Sequence, residues 1–581
     1  MTDMTEKETE GVGERIRVKR EKRNMKVSYN HEIMMRDQAV LRGNLYLPEQ
    51  GEACPVILMR TVFRKDTLSK SWGIFDPEFY VGNGYAVYIQ DVRGIGESEG
   101  EFMRFSADRQ DAYDTVEALA GESWCDGNVG MFGNFFAAFL EFQAAAAKPP
   151  HLKAICPFET HVSLNRNNDA RGVTMYYAHI GWCLAREVSR MLSGHYPKET
   201  VEKYLPAARR YLESYAELVA GLPVGELPMR ELREILPLVR DYFDIALPCY
   251  DDVEIIKREG RLMDLGQLEV PALLLAGWSE TSRNTMIEHG DTLRRRGKGN
   301  AAQSEVIIGN WKPGEPMSMG ETALHIPENH FHVEGEILRW FDKWLKGKAR
   351  EKKAPFRLFD PGQGTFAELE EWRADGMESM IWYLESRGHA NTAGGDGRLR
   401  TDQPEYLSGS DSCLYDPENP APGGGYGCCC GESQEREDIL VYTSGILDRD
   451  IRVRGIPRVI LHVSSSAPDT DFIAWLVDVD DQGGTLLAGD GIVRARYRDS
   501  WDSGPLEPEK IYRLEMKVSD LVHTFRKGHR LRLEIRNSDF PKFEANRNTG
   551  KRPETDDGFR IARNTVYHGR EAASMLILPC G

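Results

Sequence analysis

From residue 26 to residue 157 the hydrophobic positions switch between two periods. Residues 26–48 (KVSYNHEIMMRDQAVLRGNLYLP) change polarity nearly every second residue, which predicts a hairpin. Residues 54–60 (CPVILMR) and 84–91 (GYAVYIQD) are short apolar runs, the pattern of strands buried on both faces. Residues 106–120 then set Ala112, Val116, Leu119 and Ala120 at helical spacing behind an S-A-D start suited to an N-cap. The stretch 128–150, NVGMFGNFFAAFLEFQAAAAKPP, reads as a buried strand, a tight turn at Gly133, and a helix whose Phe and Ala content suits a core. Residues 151–157 (HLKAICP) give one more strand. Strand and helix in alternation predict an α/β fold, a parallel sheet covered by helices on both faces.

The pattern then changes twice. Residues 163–250 carry helical periodicity only, as in EKYLPAARRYLESYAELVAGL, and an all-helical insertion between sheet strands predicts a cap over the C-terminal strand ends, where such sheets bind ligands. The sheet resumes at 270–277 and 304–309, followed by a helix over 335–346. Beyond residue 348, short alternating segments (438–442, 458–463, a hairpin over 472–497 around Gln482-Gly483-Gly484, and 530–535) are separated by Gly, Pro and Asp turns, a β-sandwich signature. Residues 390–431 read as a long surface connection within that domain. The expected division is a charged leader (1–26), an α/β domain (27–162 and 251–348), a helical cap (163–250) and a β-sandwich (349–581).

Composition narrows the partners. A chain of 581 residues needs two or three cores. With 91 acidic against 74 basic residues the formal charge is -17, which disfavours nucleic acid and anionic membranes; the basic run 15–23 is interrupted by Glu21. No apolar run approaches the roughly 18 residues of a membrane span, and the charged N-terminus has no signal-peptide core, so a cytoplasmic protein is expected. Ten cysteines without a C-x-x-C pair read as reduced thiols, and Cys428-Cys429-Cys430 receives no function. A small-molecule ligand is expected, with no cofactor and no metal.

A strand, glycine turn and helix is the layout of a nucleophile elbow, whose pattern is G-x-S-x-G. Here the five residues are Gly133-Asn134-Phe135-Phe136-Ala137. Together with QDVRGIGESEGEF (90–102), WCDGNVGMFG (124–133), PPHLKAICP (149–157), VPALLLAGW (270–278), RWFDKWLKG (339–347), GIVRARYRDS (491–500), KGHRLRLEI (527–535) and NRNTG (546–550), the chain resembles the cocaine esterase/NonD family of α/β-hydrolases, relatives of the X-prolyl dipeptidyl peptidases. The resemblance implies an α/β-hydrolase core, a helical cap, a C-terminal jelly roll, acyl or peptidyl hydrolysis as the usual activity, and a homodimer. It also implies where the catalytic groups fall. The nucleophilic serine falls on Phe135, the triad acid on Glu280, the histidine on Pro313 and the oxyanion-hole tyrosine on Phe63. Serine-dependent acyl transfer needs a nucleophile, a base and oxyanion donors, and three of these four side chains are inert.

Other candidates are weighed on their surroundings. Ser98 lies in a true G-x-S-x-G string, Gly96 to Gly100, but in a loop between two carboxylates and ahead of any helix, so loop chemistry is expected of it. His325, His330 and His332 lack the spacing of a zinc site and read as a polar loop. Glu159 and His161 follow the strand end at 157, on the ligand side of the sheet. Tyr176, Tyr177, His179 and Trp182 belong to the cap, where they pack or line a pocket with Phe63, Phe135 and Phe136. Glu280 and Lys312 are expected near each other, as a salt bridge or a new acid–base pair. The leading expectation is a catalytically altered member of the family that binds a small molecule or partner without serine hydrolase activity. The alternatives are a non-hydrolytic acid–base enzyme using Glu280, Lys312 or His161 for elimination, isomerisation or cyclisation, a hydrolase of different mechanism, and a structural subunit.

Overall fold

The computed structural model describes residues 25–49, 52–62, 64–66, 75–102, 108–160, 183–214 apart from 186, 189, 193 and 195, residues 232, 236 and 239, and 263–278, 283–310, 333–349, 351–372, 378–424, 432–500, 502–540, 542–551 and 556–580. The first sheet contains β1 (Met25–Met34), β2 (Val40–Pro48), β3 (Cys54–Thr61), β4 (Ala86–Asp91), β5 (Cys125–Asn134), β6 (Leu152–Phe158), β7 (Leu273–Gly277), β8 (Glu305–Gly309), β9 (Phe356–Asp360) and β10 (Thr365–Leu369). Their order across the sheet is β1-β2-β4-β3-β5-β6-β7-β8-β9-β10. Strands β3 to β9 pair in parallel, while β1, β2 and β10 add antiparallel edges. The predicted hairpin and the six further strands predicted for the sheet are all strands here. The sheet also runs past residue 348, because β9 and β10 extend it.

The helices among the described residues are α1 (Pro77–Gly82), α2 (Asp108–Ala120), α3 (Phe136–Ala147), α4 (Lys198–Glu213), α5 (Arg283–Arg296) and α6 (Val333–Lys346). Helix α3 is apolar all round and buries Ala137 to Ala145, as its sequence requires. It stops where Lys148 turns left-handed (φ 56°) ahead of Pro149 and Pro150, residues that cannot extend it. Helix α6 lays Ile337, Trp340, Phe341 and Leu345 on the sheet. It approaches β5 so closely that a Cβ on Gly130 would stand 2.7 Å from the Phe341 ring and 2.9 Å from Leu345, which is why glycine occupies that strand interior.

Helix α4 and the described residues around it form a separate small core of Cys183, Leu184, Met191, Ala208, Tyr211, Leu232, Leu236 and Val239. Phe102, from the loop after β4, packs on this core and also on the apolar cluster beside the elbow, so it joins the helical insertion to the sheet's C-terminal edge.

The remaining strands are β11 (Glu378–Glu385), β12 (Arg398–Arg400), β13 (Gly409–Tyr415), β14 (Leu440–Ser444), β15 (Ile451–Gly455), β16 (Arg458–Ser465), β17 (Asp471–Val479), β18 (Thr485–Arg494), β19 (Tyr512–Lys517), β20 (Leu521–Phe525), β21 (Arg530–Arg536), β22 (Ala562–His568) and β23 (Met575–Cys580). They form the β-rich C-terminal domain, with β17 and β18 as the expected hairpin. The 390–431 stretch is not only a connection. It holds β12 and β13, and β13 pairs with β22 over its whole length. Asp411, Cys413 and Tyr415 point inward there while Ser410, Ser412 and Leu414 face out, an alternation hidden by its serines and aspartate. No helix of the described residues is long and apolar enough to cross a membrane.

Candidate functional site at the strand-to-helix turn

Strand β5 ends at Asn134 and α3 begins at Phe136, leaving Phe135 alone to make the turn. Its backbone sits at φ 50°, ψ -115°, outside every region comfortable for an L-residue. Two bonds fix it: the Phe135 N–H donates to the Phe158 carbonyl at the end of β6 (3.0 Å), and the Phe135 carbonyl accepts the first helical bond from Phe139 (3.1 Å). The turn is tight enough that a Cβ on Gly133 would lie 2.7 Å from the backbone of Ala137. This is the sharp, strained geometry that lifts one side chain clear of the sheet in a nucleophile elbow. The side chain lifted here is a half-buried phenyl ring.

Beneath the turn lies a group that the sequence reading passed over. Glu141, the one carboxylate in the apolar run of α3, is fully buried and accepts the Cys156 N–H at 2.7 Å. Burial pushes its carboxyl well above the ordinary range, against the backbone N–H groups of Cys156 and Gly133, which favour the charged form. It ties α3 to β5 and β6 at the base of the turn. A lone acid in FAAFLEFQAAAA was the available signal.

The neighbouring strand ends carry further strain. Glu159, one residue past β6, is 2% exposed with φ 52°, and its N–H donates to Leu275 on β7 (2.8 Å). Arg64, after β3, also has a left-handed backbone (φ 66°). Non-glycine residues in this region therefore stand beyond β3, β5 and β6, on the C-terminal side where open sheets bind ligands. Next to them Asp91, at the end of β4, is buried with Lys65: the Lys65 Nζ is 3.2 Å from its carboxylate and the Lys65 N–H donates at 2.7 Å. Burial raises the Asp91 pKa and the Lys65 charge opposes that rise. Apolar groups fill the rest: Phe136 lies 5.5 Å from Phe139 and 6.2 Å from Phe102 between ring centres, over Val62, Val92, Ile95 and Leu140.

Ser98 is a structural pin. Its hydroxyl donates to the Asp91 carbonyl (2.7 Å) and accepts the Arg42 N–H (2.9 Å), at 2% exposure. A loop role was expected, and the loop is tied down rather than loose. Phe135, Phe136 and Glu159 are thus brought together at the strand ends, whereas Phe63, His161, Tyr176, Tyr177, His179, Trp182, Glu280, Lys312, Pro313, His325, His330, His332 and Cys428 to Cys430 lie outside the described residues.

One Ser, His and Asp grouping does occur in the C-terminal domain, and its wiring argues against catalysis. The Ser386 hydroxyl donates to Asp411 (2.6 Å) and lies 3.0 Å from His568 Nε2. Asp411 touches that same ring nitrogen (3.1 Å), while the Tyr406 hydroxyl meets Nδ1 (2.8 Å). A triad needs serine and acid on opposite nitrogens. Burial raises the Asp411 pKa, but bonds from His568, Ser386, the Ala390 N–H and Tyr442 outweigh it and hold the carboxylate below its ordinary value. The group pins β13 to β22 and to the turn after β11. Among the described residues no group of three or more His, Cys, Asp or Glu is arranged to hold a metal ion.

Comparison with known proteins gives these features a common origin. The family model for X-Pro dipeptidyl-peptidase (S15 family) matches residues 37–313, and that for the X-Pro dipeptidyl-peptidase C-terminal non-catalytic domain matches residues 348–577. Cocaine esterase from Rhodococcus sp. (strain MB1 Bresler) is 31% identical over 592 residues, which cover 96% of this chain and 99% of the esterase. Among solved structures, an α-amino acid ester hydrolase has a TM-score of 0.77 at 20% identity, covering 99% of this chain and 100% of its own. An aminopeptidase from the marine sediment archaeon Thaumarchaeota archaeon has a TM-score of 0.76 at 20% identity, covering 100% and 99%. These two establish a shared fold. With two family models spanning the hydrolase and C-terminal regions and a full-length relative above 30% identity, the chain belongs to the cocaine esterase/NonD and X-Pro dipeptidyl-peptidase (S15) family of α/β-hydrolases.

Proposed function

We propose that this member of the family binds a small organic molecule in the pocket over the C-terminal strand ends and does not act as a serine hydrolase. The observation that carries the proposal is Phe135, a phenyl side chain on a backbone held at φ 50°, ψ -115°. An elbow exists to present a nucleophilic atom, and a phenyl group has none to present. The resemblance adds Pro313 at the position of the general base and Phe63 at that of the oxyanion donor, so a rescuing neighbour would have to replace three functions together. Aromatic and aliphatic groups at the elbow suit an apolar ligand body. Self-association as a homodimer and a cytoplasmic location complete the proposal, both resting on the sequence.

Fluorophosphonate labelling followed by intact-mass measurement tests it. The expected result is an unmodified chain, with an acyl ester turned over no faster than in buffer. A stoichiometric adduct mapped to a residue of this site, with ester turnover in the ordinary enzymatic range of roughly 1–1000 per second, would overturn the proposal.

A second use of the pocket is favoured by Glu159. A carboxyl group 2% exposed, on a left-handed backbone beside the elbow, is the kind of group that transfers protons on a bound carbonyl compound. Glu280, Lys312 and His161 are its proposed companions in such a non-hydrolytic acid–base enzyme. Consumption of a bound carbonyl compound by the wild type, abolished in Glu159→Gln, would select this use; undiminished consumption in the variant would exclude Glu159 from it.

A further inference from the structure

Among the described residues a cavity of about 1030 Å³ opens in the C-terminal domain, and none of the groups at the strand-to-helix turn lines it. That volume stands at the upper end of the roughly 300–1,000 Å³ usual for ligand sites. One side is the outward face of β13, where Ser412 and Leu414 stand, Leu414 being 63% exposed. The other sides come from the turn after β11 and from residues 436–438 ahead of β14.

These walls are bonded to one another. The Asn391 side-chain nitrogen donates to the Ser412 carbonyl (3.1 Å) and to the Glu437 carbonyl (2.7 Å), which ties β13 to the 436–438 segment. The Thr392 N–H donates to the Ile439 carbonyl (3.1 Å). Arg436 forks onto both oxygens of Asp438 (2.8 Å each) and also donates to the Asn419 carbonyl (2.7 Å). Polar groups fixed in advance cost little to order when a ligand arrives.

What those bonds leave over defines the ligand. Asn391 has used both hydrogens of its amide nitrogen, so its oxygen remains as an acceptor. The outer nitrogen of Arg436 that reaches Asn419 Oδ1 only at 3.4 Å keeps a second hydrogen to donate. Each Asp438 oxygen accepts one bond from Arg436 and can accept another. Donors and acceptors thus alternate along the wall. Charge selects little: Arg436 is matched by Asp438, and Arg563 is paired with Glu509 (2.9 Å), so an anion meets no unpaired arginine. No phenyl, phenol or indole ring is among the described residues that line the cavity, so a flat aromatic ligand has nothing to stack on. A hydroxyl group donates and accepts at the same atom and carries no charge, which matches such a wall, while Leu414 offers an apolar surface for C–H groups.

We propose that this cavity is a second binding site and that it takes a neutral, hydroxyl-rich ligand of the short-oligosaccharide class. The domain that the family model describes as non-catalytic then has a recognition role of its own. The proposal does not rest on the pocket at the strand ends of the first sheet, and either can fail without the other.

Saturation-transfer NMR on the full chain tests it, with four neutral probes (maltotriose, cellotriose, mannotriose and triacetylchitotriose) and two charged ones, the trimers of galacturonic acid and of glucosamine. The expected result is transfer to at least one neutral trimer, with hydrogen-exchange protection by that trimer in peptides covering residues 389–395 and 410–419. Leu414→Arg sends a long cation into the cavity from an exposed position, toward Asp416 and Glu437, and should weaken binding at least roughly tenfold; Leu414→Ala, which removes only the apolar surface, should weaken it less. Both variants should keep the wild-type melting temperature. No transfer to any neutral trimer, binding undiminished in Leu414→Arg, or tighter binding of either charged trimer than of every neutral one would overturn the proposal.

Discussion

At Phe135 the backbone and the side chain serve different ends, and the mismatch can be measured. Most residues at φ > 0 pay about 1–3 kcal/mol, and glycine avoids that cost. Replacing Phe135 by Ala keeps the strain and removes the half-buried ring, whereas Gly removes both. We expect Phe135→Gly to be more stable than Phe135→Ala by about 1 kcal/mol, because glycine takes a positive φ without a clash; denaturant melts of the two variants decide it. Equal stabilities would mean the turn is not strained. Glu141 makes a prediction of opposite character. Its pKa is raised in the folded state, so its contribution to stability is fully present below the ordinary value of 4.5 and is lost as pH rises through the folded value. Gln keeps an acceptor for the Cys156 N–H and cannot ionise. Glu141→Gln should therefore gain stability on the wild type between pH 5 and pH 8, with the gain absent at pH 4, in thermal melts across that range. A leucine there would leave the Cys156 N–H unbonded and cost about 1–3 kcal/mol.

Elements were legible where burial is two-sided and apolar, and hidden where charge is buried. Strands β3, β4, β6, β7 and β8 and helices α3 and α6 follow from runs and periods in the sequence, with ends shifted by a few residues. Strand β9 did not, because it follows the charged residues 350–353 and contains Arg357. That arginine is 2% exposed and neutralised by Glu336 (2.8 Å) and Glu305 (3.4 Å), partners 21 and 52 residues away in sequence. No local pattern reveals such pairing. The elbow was recognisable from Gly133 and the apolar helix behind it, but its dihedral strain was not, since phenylalanine gives no sign of a positive φ. The contact of α6 with β5 yields the prediction at this scale. Gly130→Ala would drive a methyl group into Phe341 and Leu345 and displace α6, at a cost of roughly 1–3 kcal/mol. Retention of wild-type stability in a thermal melt would mean that helix and strand are not so closely packed.

For the molecule as a whole, three bodies converge on one edge of the first sheet. The strand ends bring Phe135, Phe136 and Glu159; Phe102 links them to the helical insertion; and the C-terminal domain holds α5 through Arg283. This is the architecture of the hydrolase family to which the chain belongs, with Phe135 at the strand-to-helix turn, and the proposed reading is that the site holds a small molecule. Incubating the purified full chain with a metabolite extract of its source cell, washing, and identifying retained compounds by mass spectrometry tests that claim most directly. Retention of a defined small molecule, returned chemically unchanged, is the predicted result. Recovery of a compound in hydrolysed form, or of no small molecule at all, would contradict it.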